Sequence, residues 1–270
     1  MGVVIFAVHP VEPQGTTTIS PHATAVIVIP ARYDSSRLPG KPLAQISGRP
    51  MIEHVYRRAV LASGAASVLV ATDDKRIQEA VLTFGGNVQL TEPHHRNGME
   101  RLAEVATGLS CDLVVNVQGD EPLLDPSTIE IALKPFSQDS SLCMSSLRTP
   151  LTKATQINDR NIVKVVVDQN DFALYFSRSP IPGQHELHGS KYTSKVNKHV
   201  GLYVYRRDFL VRLAGMPPTP LEESEQLEQL RALEYGYRIK VPETSHNPIG
   251  VDTPEDLERV RQIMITGAPQ

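Results

Sequence analysis

Val26-Ile27-Val28-Ile29-Pro30-Ala31-Arg32-Tyr33-Asp34-Ser35-Ser36-Arg37-Leu38-Pro39-Gly40-Lys41-Pro42-Leu43 lies near the start of the chain, and its two halves differ in character. Val26 to Ile29 is a run of β-branched residues, the composition of a parallel strand buried on both faces. Pro30 reads as its end. The loop that follows carries Arg32, Arg37 and Lys41, with Pro39-Gly40 setting a turn before the lysine. Open α/β sheets bind ligands at the carboxyl ends of their strands, so three cations on this loop suit a polyphosphate. At about 4 Å one charge pair in a partly screened site is worth roughly 4 kcal/mol. The same cations would stabilise charge developing on a departing pyrophosphate. A solvated basic loop is the other reading, and it serves for any one of the three taken alone.

Downstream, short apolar strands alternate with amphipathic helices. Ile52, Val55, Tyr56, Ala59 and Val60 recur at helical spacing after Pro50, which suits a first helical position. Val68–Ala71 and Leu113–Val117 read as further buried strands, and Val88–Leu90 as a short one. Asp73 or Asp74 reads as an N-cap, with a site role for Asp73 as the lesser reading. This alternation predicts a doubly wound α/β sheet. No Gly-x-Gly-x-x-Gly follows the first strand, which disfavours a dinucleotide-binding dehydrogenase.

The 270 residues, 40% hydrophobic and 21% charged, allow one elaborated α/β domain. The net charge of -3 disfavours general nucleic-acid binding. Cys111 and Cys143 are too few and too far apart for a zinc site or a disulfide framework, and fit a reducing, cytoplasmic compartment. No apolar run approaches the roughly 18–20 residues a membrane span needs. Residues 1–25, rich in Pro, Thr and Gly beyond Val8, read as a poorly ordered extension. Val3–Val8 lacks the preceding basic residue of a signal peptide.

Further motifs carry side chains able to do chemistry. Gln118-Gly119-Asp120-Glu121-Pro122 leaves the end of the fourth strand, where a carboxylate either holds Mg²⁺ against phosphates or caps a turn. Gly119 permits a tight backbone approach. Gly250-Val251-Asp252-Thr253-Pro254 opens the last helix. Thr253, Pro254 and the acids after them are explained by capping, which leaves Asp252 free. His94-His95 lacks a matching third ligand for a metal. In Lys198–Tyr205 a period of two puts Val200, Leu202 and Val204 on one face and His199, Gly201, Tyr203 and Tyr205 on the other. The second face is either a ligand wall or an ordinary half-exposed surface. Glu223–Tyr235 reads as one helix, in which Glu228 either pairs with Arg231 or faces a ligand. Residues 183–197 read as a loop.

Ile29-Pro30-Ala31-Arg32 through Leu43 resembles the signature loop of the sugar-acid cytidylyltransferases, and most of all that of the 3-deoxy-manno-octulosonate (Kdo) cytidylyltransferase family. The resemblance runs from about Val26 to Arg261 through five motifs in the expected order. It implies a Rossmann-like nucleotidyltransferase domain over 26–270, with an inserted region at about 150–240 for sugar binding and dimerisation. It implies transfer of CMP from CTP to Kdo for lipopolysaccharide biosynthesis, with Mg²⁺ held by Asp120 and Asp252 and catalysis by these two with Arg32 and Lys41. The nucleotide would meet Arg32, Ser36, Arg37, Lys41, Asn97, Gly98 and Arg101. Met99 stands where the family usually has Thr. The sugar acid would meet Gln118, Arg178, His199, Tyr203, Glu228 and Gln229. A homodimer is expected. A cytidylyltransferase for another sugar acid, such as sialic acid, and a non-catalytic sugar-nucleotide binding homologue remain as alternatives.

Overall fold

A computed structural model describes residues 23–35, 37–151, 153–183 and 195–267. Ser36, most of the 1–25 extension and most of the 183–197 loop lie outside the described residues. The strands are β1 (Ala25–Ala31), β2 (Gln45–Ile46), β3 (Arg49–Pro50), β4 (Ala65–Thr72), β5 (Val88–Leu90), β6 (Leu113–Asn116), β7 (Met144–Pro150), β8 (Lys164–Val167), β9 (Ala173–Ser177), β10 (Asn197–Arg206) and β11 (Ile239–Lys240). The helices are α1 (Met51–Val60), α2 (Lys75–Thr83), α3 (Gly98–Thr107), α4 (Pro126–Leu133), α5 (Pro135–Gln138), α6 (Ala154–Ile157), α7 (Arg207–Ala214), α8 (Pro220–Glu225), α9 (Gln229–Glu234) and α10 (Pro254–Thr266).

The central sheet runs β11-β7-β10-β6-β1-β4-β5, with the β8–β9 hairpin attached through β10. Strands β6, β1, β4 and β5 are mutually parallel, the doubly wound block the alternation predicts. The other half is mixed, because β10 lies antiparallel between β6 and β7. The 150–240 segment is therefore no detached insertion: it supplies a strand to the middle of the sheet. The first strand also runs farther than expected. Pro30 pairs opposite Ala71, and β1 continues to Ala31. Strand β6 ends opposite Val28, so at Pro30 the strand has a ladder partner on one side only, where a missing N–H is tolerated.

Alternation along the strands divides the core. Ile27, Ile29, Val70, Val115, Val200, Leu202 and Val204 pack on one face with residues of α1 and α4. Val26, Val28, Val114 and Tyr205 face α3, α7 and α9. A third cluster of Ile46, Met51, Leu123, Val251, Leu257 and Val260 fixes α10 beside the β2–β3 hairpin. Pro50 is the N-cap of α1 rather than its first residue, and Val60, read as part of its buried stripe, is exposed. The helix expected over Glu223–Tyr235 breaks at Gln226, whose φ of 54° is left-handed. No helix among the described residues is long and apolar enough to cross a membrane.

Candidate active site

The carboxyl edge of the parallel block gathers the cationic loop and both carboxylates. Gly40, at φ 69°, turns the loop so that Lys41 starts a single 3₁₀ turn. The Lys41 ammonium lies 2.7 Å from Asp120 and 3.1 Å from Asp252. Arg37 reaches the other oxygen of Asp252 at 3.1 Å. Residues 132 positions apart thus meet at one cation, and the fold explains how. Val251 is fully buried in the third cluster, and its N–H donates to the Asp120 carbonyl at 2.9 Å. Asp252 follows directly, while Thr253 and Asp256 close a capping box on α10. Gly119 is equally constrained, since a Cβ there would sit 2.8 Å from the Pro30 carbonyl. Burial pulls the Lys41 ammonium down, but the carboxylates of Asp120 and Asp252 together outweigh it and hold the group above the ordinary lysine range. Burial, then repulsion from Asp120, pushes the neighbouring Glu121 carboxyl up to about 8, so at neutral pH it adds little negative charge to the pair.

Arg32 donates to the His95 carbonyl at 3.2 Å, and its charge reaches Glu228. The His95 ring pairs with Glu104, which accounts for that histidine without a metal. Asn97 caps α3, accepting from the Glu100 N–H at 3.0 Å, and Gly98 begins the helix.

Two nucleotide and sugar expectations meet a different geometry. Arg101 is fully buried, 2.7 Å from Asp73 and bonded to Thr91, so its guanidinium ties α3 to the ends of β4 and β5 instead of facing the open edge. Asp74, not Asp73, is the cap of α2. Arg178 donates to the carbonyls of Glu225, Arg160 and Gln226, at 2.8, 3.3 and 3.3 Å. With three of its five N–H donors it braces the turn after α8. Arg231 pairs with Glu222 at 2.5 Å, not with Glu228.

The remaining sugar candidates converge. A cavity of about 240 Å³ is lined by Asn116, Gln118, Tyr203, Tyr205, Glu228 and Gln229, with Gly98 and the Gln226-Leu227 turn. The left-handed break at Gln226 is what turns Glu228 and Gln229 inward. Gln118 donates to the Gly201 carbonyl at 2.9 Å. Burial raises the Glu228 carboxyl, opposed by the Met99 backbone N–H. The Met99 side chain itself is buried in the core, so the position the family fills with Thr contributes backbone only. His199 stands behind this wall. Its Nε2 lies 2.8 Å from the Ser146 hydroxyl, and its ring packs against Phe176 and Tyr203. Burial, with Lys198 next to it, lowers its pKa to about 3, so the imidazole is neutral. Tyr205 lies on the strand face read as a possible ligand wall, whereas Asn116 was missed by sequence reading, because it ends a strand that looks like ordinary core. A larger cavity, about 580 Å³, sits at the opposite, amino-terminal edge around Thr24, Gly64 and Leu133. Glu130 and Lys134 line it among small and apolar residues, away from the Lys41, Asp120 and Asp252 cluster.

A strand-end cation loop, two convergent carboxylates and a polar cavity define a nucleotidyltransferase site. Over residues 26–240 the chain matches the model of the family described as cytidylyltransferase, and it is a member of that family. It is 54% identical over 238 residues to a 3-deoxy-manno-octulosonate cytidylyltransferase of Syntrophotalea carbinolica, covering 86% of this chain and 95% of the relative. The enzyme of that name from Geotalea daltonii is 53% identical over 240 residues, at 86% and 95% coverage. A solved structure of CMP:2-keto-3-deoxy-manno-octonic acid synthetase complexed with CTP superposes with a TM-score of 0.86 at 44% identity, covering 91% of this chain and all of that one. Within the cytidylyltransferases, the chain belongs to the 3-deoxy-manno-octulosonate cytidylyltransferase family.

Proposed function

We propose that the chain transfers CMP from CTP to Kdo, releasing pyrophosphate, in the supply of activated sugar for lipopolysaccharide. The observation that carries this reading is the convergence of Asp120 and Asp252 on Lys41, two residues along the chain from a cavity lined by amides, phenols and one acid. Arg32, Arg37 and Lys41 neutralise the triphosphate and the pyrophosphate that leaves. Gln118, Tyr203, Glu228 and Gln229 hold the sugar hydroxyls, so that the anomeric hydroxyl meets the α-phosphate in line. Phosphoryl-type transfer asks little covalent chemistry of the protein, so no Ser or Cys nucleophile is needed.

The residues present fit Mg²⁺. Two carboxylates already share one cation, the Lys41 ammonium, and Mg²⁺ takes one or two carboxylates when phosphate oxygens and water complete its shell. Among the described residues no cluster of three or more His, Cys, Asp or Glu side chains is placed to hold a metal, in keeping with an ion that relies on phosphate ligands. Asp120 and Asp252 would hold it, and when bound it would supply charge to the phosphates and lower the pKa of the attacking hydroxyl. A homodimer belongs to the same reading.

The test is pyrophosphate release with CTP, Kdo and Mg²⁺, against metal-free, UTP and sialic acid controls. Asp120→Ala should lower turnover by more than tenfold, a loss of more than about 1.4 kcal/mol. Turnover within tenfold of the parent enzyme would remove Asp120 from the metal role.

A further inference from the structure

Two buried amides in the cavity have unused hydrogen-bonding atoms. Asn116 closes β6, in register with Val28 on one side and Tyr203 on the other. It is 6% exposed, and its Oδ1 has no hydrogen-bond partner among the described residues. Gln229 begins α9, is 4% exposed, and its Nε2 is likewise without a partner among the described residues. The two come from different layers of the fold and line the same cavity. An unpaired buried polar atom is destabilising, and in native structures it calls for a specific reason. A buried acceptor and a buried donor together match a hydroxyl, which both donates and accepts. They do not match a phosphate or a carboxylate, and none of the residues lining the cavity is cationic.

We infer that Asn116 is a specificity-determining residue that, with Gln229, reads a hydroxyl on the polyol end of the sugar acid. This rests on the proposed Kdo reading and deepens it. The sugar enters the cavity hydroxyl-end first. Its carboxylate stays outside, towards Arg32 and Lys41, since the cavity lining offers it no cation. Glu228 adds a further hydroxyl partner, since its carboxyl accepts from hydroxyls when charged and also donates to them when protonated.

The experiment uses Asn116→Leu and Gln229→Met, which keep the side-chain shape and remove the amide. Steady-state kinetics are run with CTP and with Kdo or a set of monodeoxy Kdo analogues, and melting temperatures are taken without ligand. Each variant should lose about 10- to 100-fold in kcat/KM for Kdo, chiefly through KM, with the KM for CTP within about twofold. One deoxy analogue should be a poor substrate for the parent enzyme, and Asn116→Leu should handle it no worse than it handles Kdo. Neither variant should melt much lower than the parent without ligand, because each amide carries a buried atom with no partner among the described residues. Equal losses on every analogue, or a lowered melting temperature with unchanged KM for Kdo, would make Asn116 merely structural and overturn the assignment. If the parent enzyme itself does not turn over Kdo, the underlying reading falls, and this inference falls with it.

Discussion

Replacing Asp73 by alanine separates two meanings of Arg101. Its guanidinium is fully buried, 2.7 Å from Asp73, whose side chain is 21% exposed. Among the described residues its one other partner is the Thr91 hydroxyl, and its Nε already has none. Removing the carboxylate strands a buried charge. Breaking a buried pair in this way costs about 3–5 kcal/mol. Partial exposure of Asp73 lets water reach the gap, which places the effect near the lower end, about 3 kcal/mol. At about 2–4 °C per kcal/mol for a chain approaching this size, the melting temperature should fall by about 6–12 °C. The KM for CTP, measured well below the new melting temperature, should change less than about threefold, below the 1.4 kcal/mol that marks tenfold. Differential scanning fluorimetry and initial rates on one preparation give both numbers. A variant that melts within about 2 °C of the parent while its KM for CTP rises tenfold would show that Arg101 serves the nucleotide and that the buried pairing is wrong.

Three other outcomes are expected. His199 titrates near 3 in the fold against an ordinary 6.5, so the unfolded chain takes up a proton first: stability is full above pH 6.5 and declines as pH falls towards 3. Between pH 6.5 and 5.0 the parent should lose about 2 kcal/mol more than His199→Gln in urea unfolding, and parallel slopes would contradict the buried neutral imidazole. Gly119→Ala places a Cβ 2.8 Å from the Pro30 carbonyl; it should cost about 1–3 kcal/mol of stability and depress pyrophosphate release, and normal values of both would refute the close approach. Lys41→Gln removes a cation from between two carboxylates, an interaction of up to roughly 4 kcal/mol at partly screened contact distance. The CTP-free variant should bind Mn²⁺ at least about tenfold more tightly than the parent by electron paramagnetic resonance, and equal affinity would mean that the ammonium does not occupy the metal position.

The parallel half of the sheet was legible because β1 and β6 are short, strongly apolar runs buried on both faces, and β4 and β5 alternate with amphipathic helices. The position of β10 was not. Its alternation correctly separates Val200, Leu202 and Val204 from His199, Tyr203 and Tyr205, yet a period of two is silent about which strands become neighbours. The break at Gln226 was hidden for a local reason: a left-handed residue usually announces itself as Gly or Asn, and here it is a glutamine flanked by good helix formers. Arginine was ambiguous by nature, since one guanidinium binds phosphate, carboxylate or a carbonyl cluster equally well. Arg101 and Arg178 are claimed by Asp73 and by three backbone carbonyls, partners separated from them by up to 48 residues. For Asp120 and Asp252 the residue type and strand-end position were visible, and the hydrogen bond from Val251 to the Asp120 carbonyl is the tertiary fact that joins them.

That bond also bears on how the two halves of the site are kept in register. Gln118 lines the cavity and Asp120 meets Lys41, so a three-residue segment at the end of one strand sets the distance between the cavity and the Lys41 carboxylate pair, which on the proposed reading is the distance between sugar and triphosphate. Gln118 is held through the Gly201 carbonyl on β10, Gly119 lies against Pro30 on β1, and the Asp120 carbonyl is bonded to the residue before Asp252. Each residue is anchored to a different part of the fold. In-line attack depends on relative placement more than on the reactivity of any one group. It follows that a change at Gly119, which touches neither substrate, should disturb turnover through geometry, whereas loss of Asn116 or Gln229 should weaken sugar binding and leave the phosphate end undisturbed.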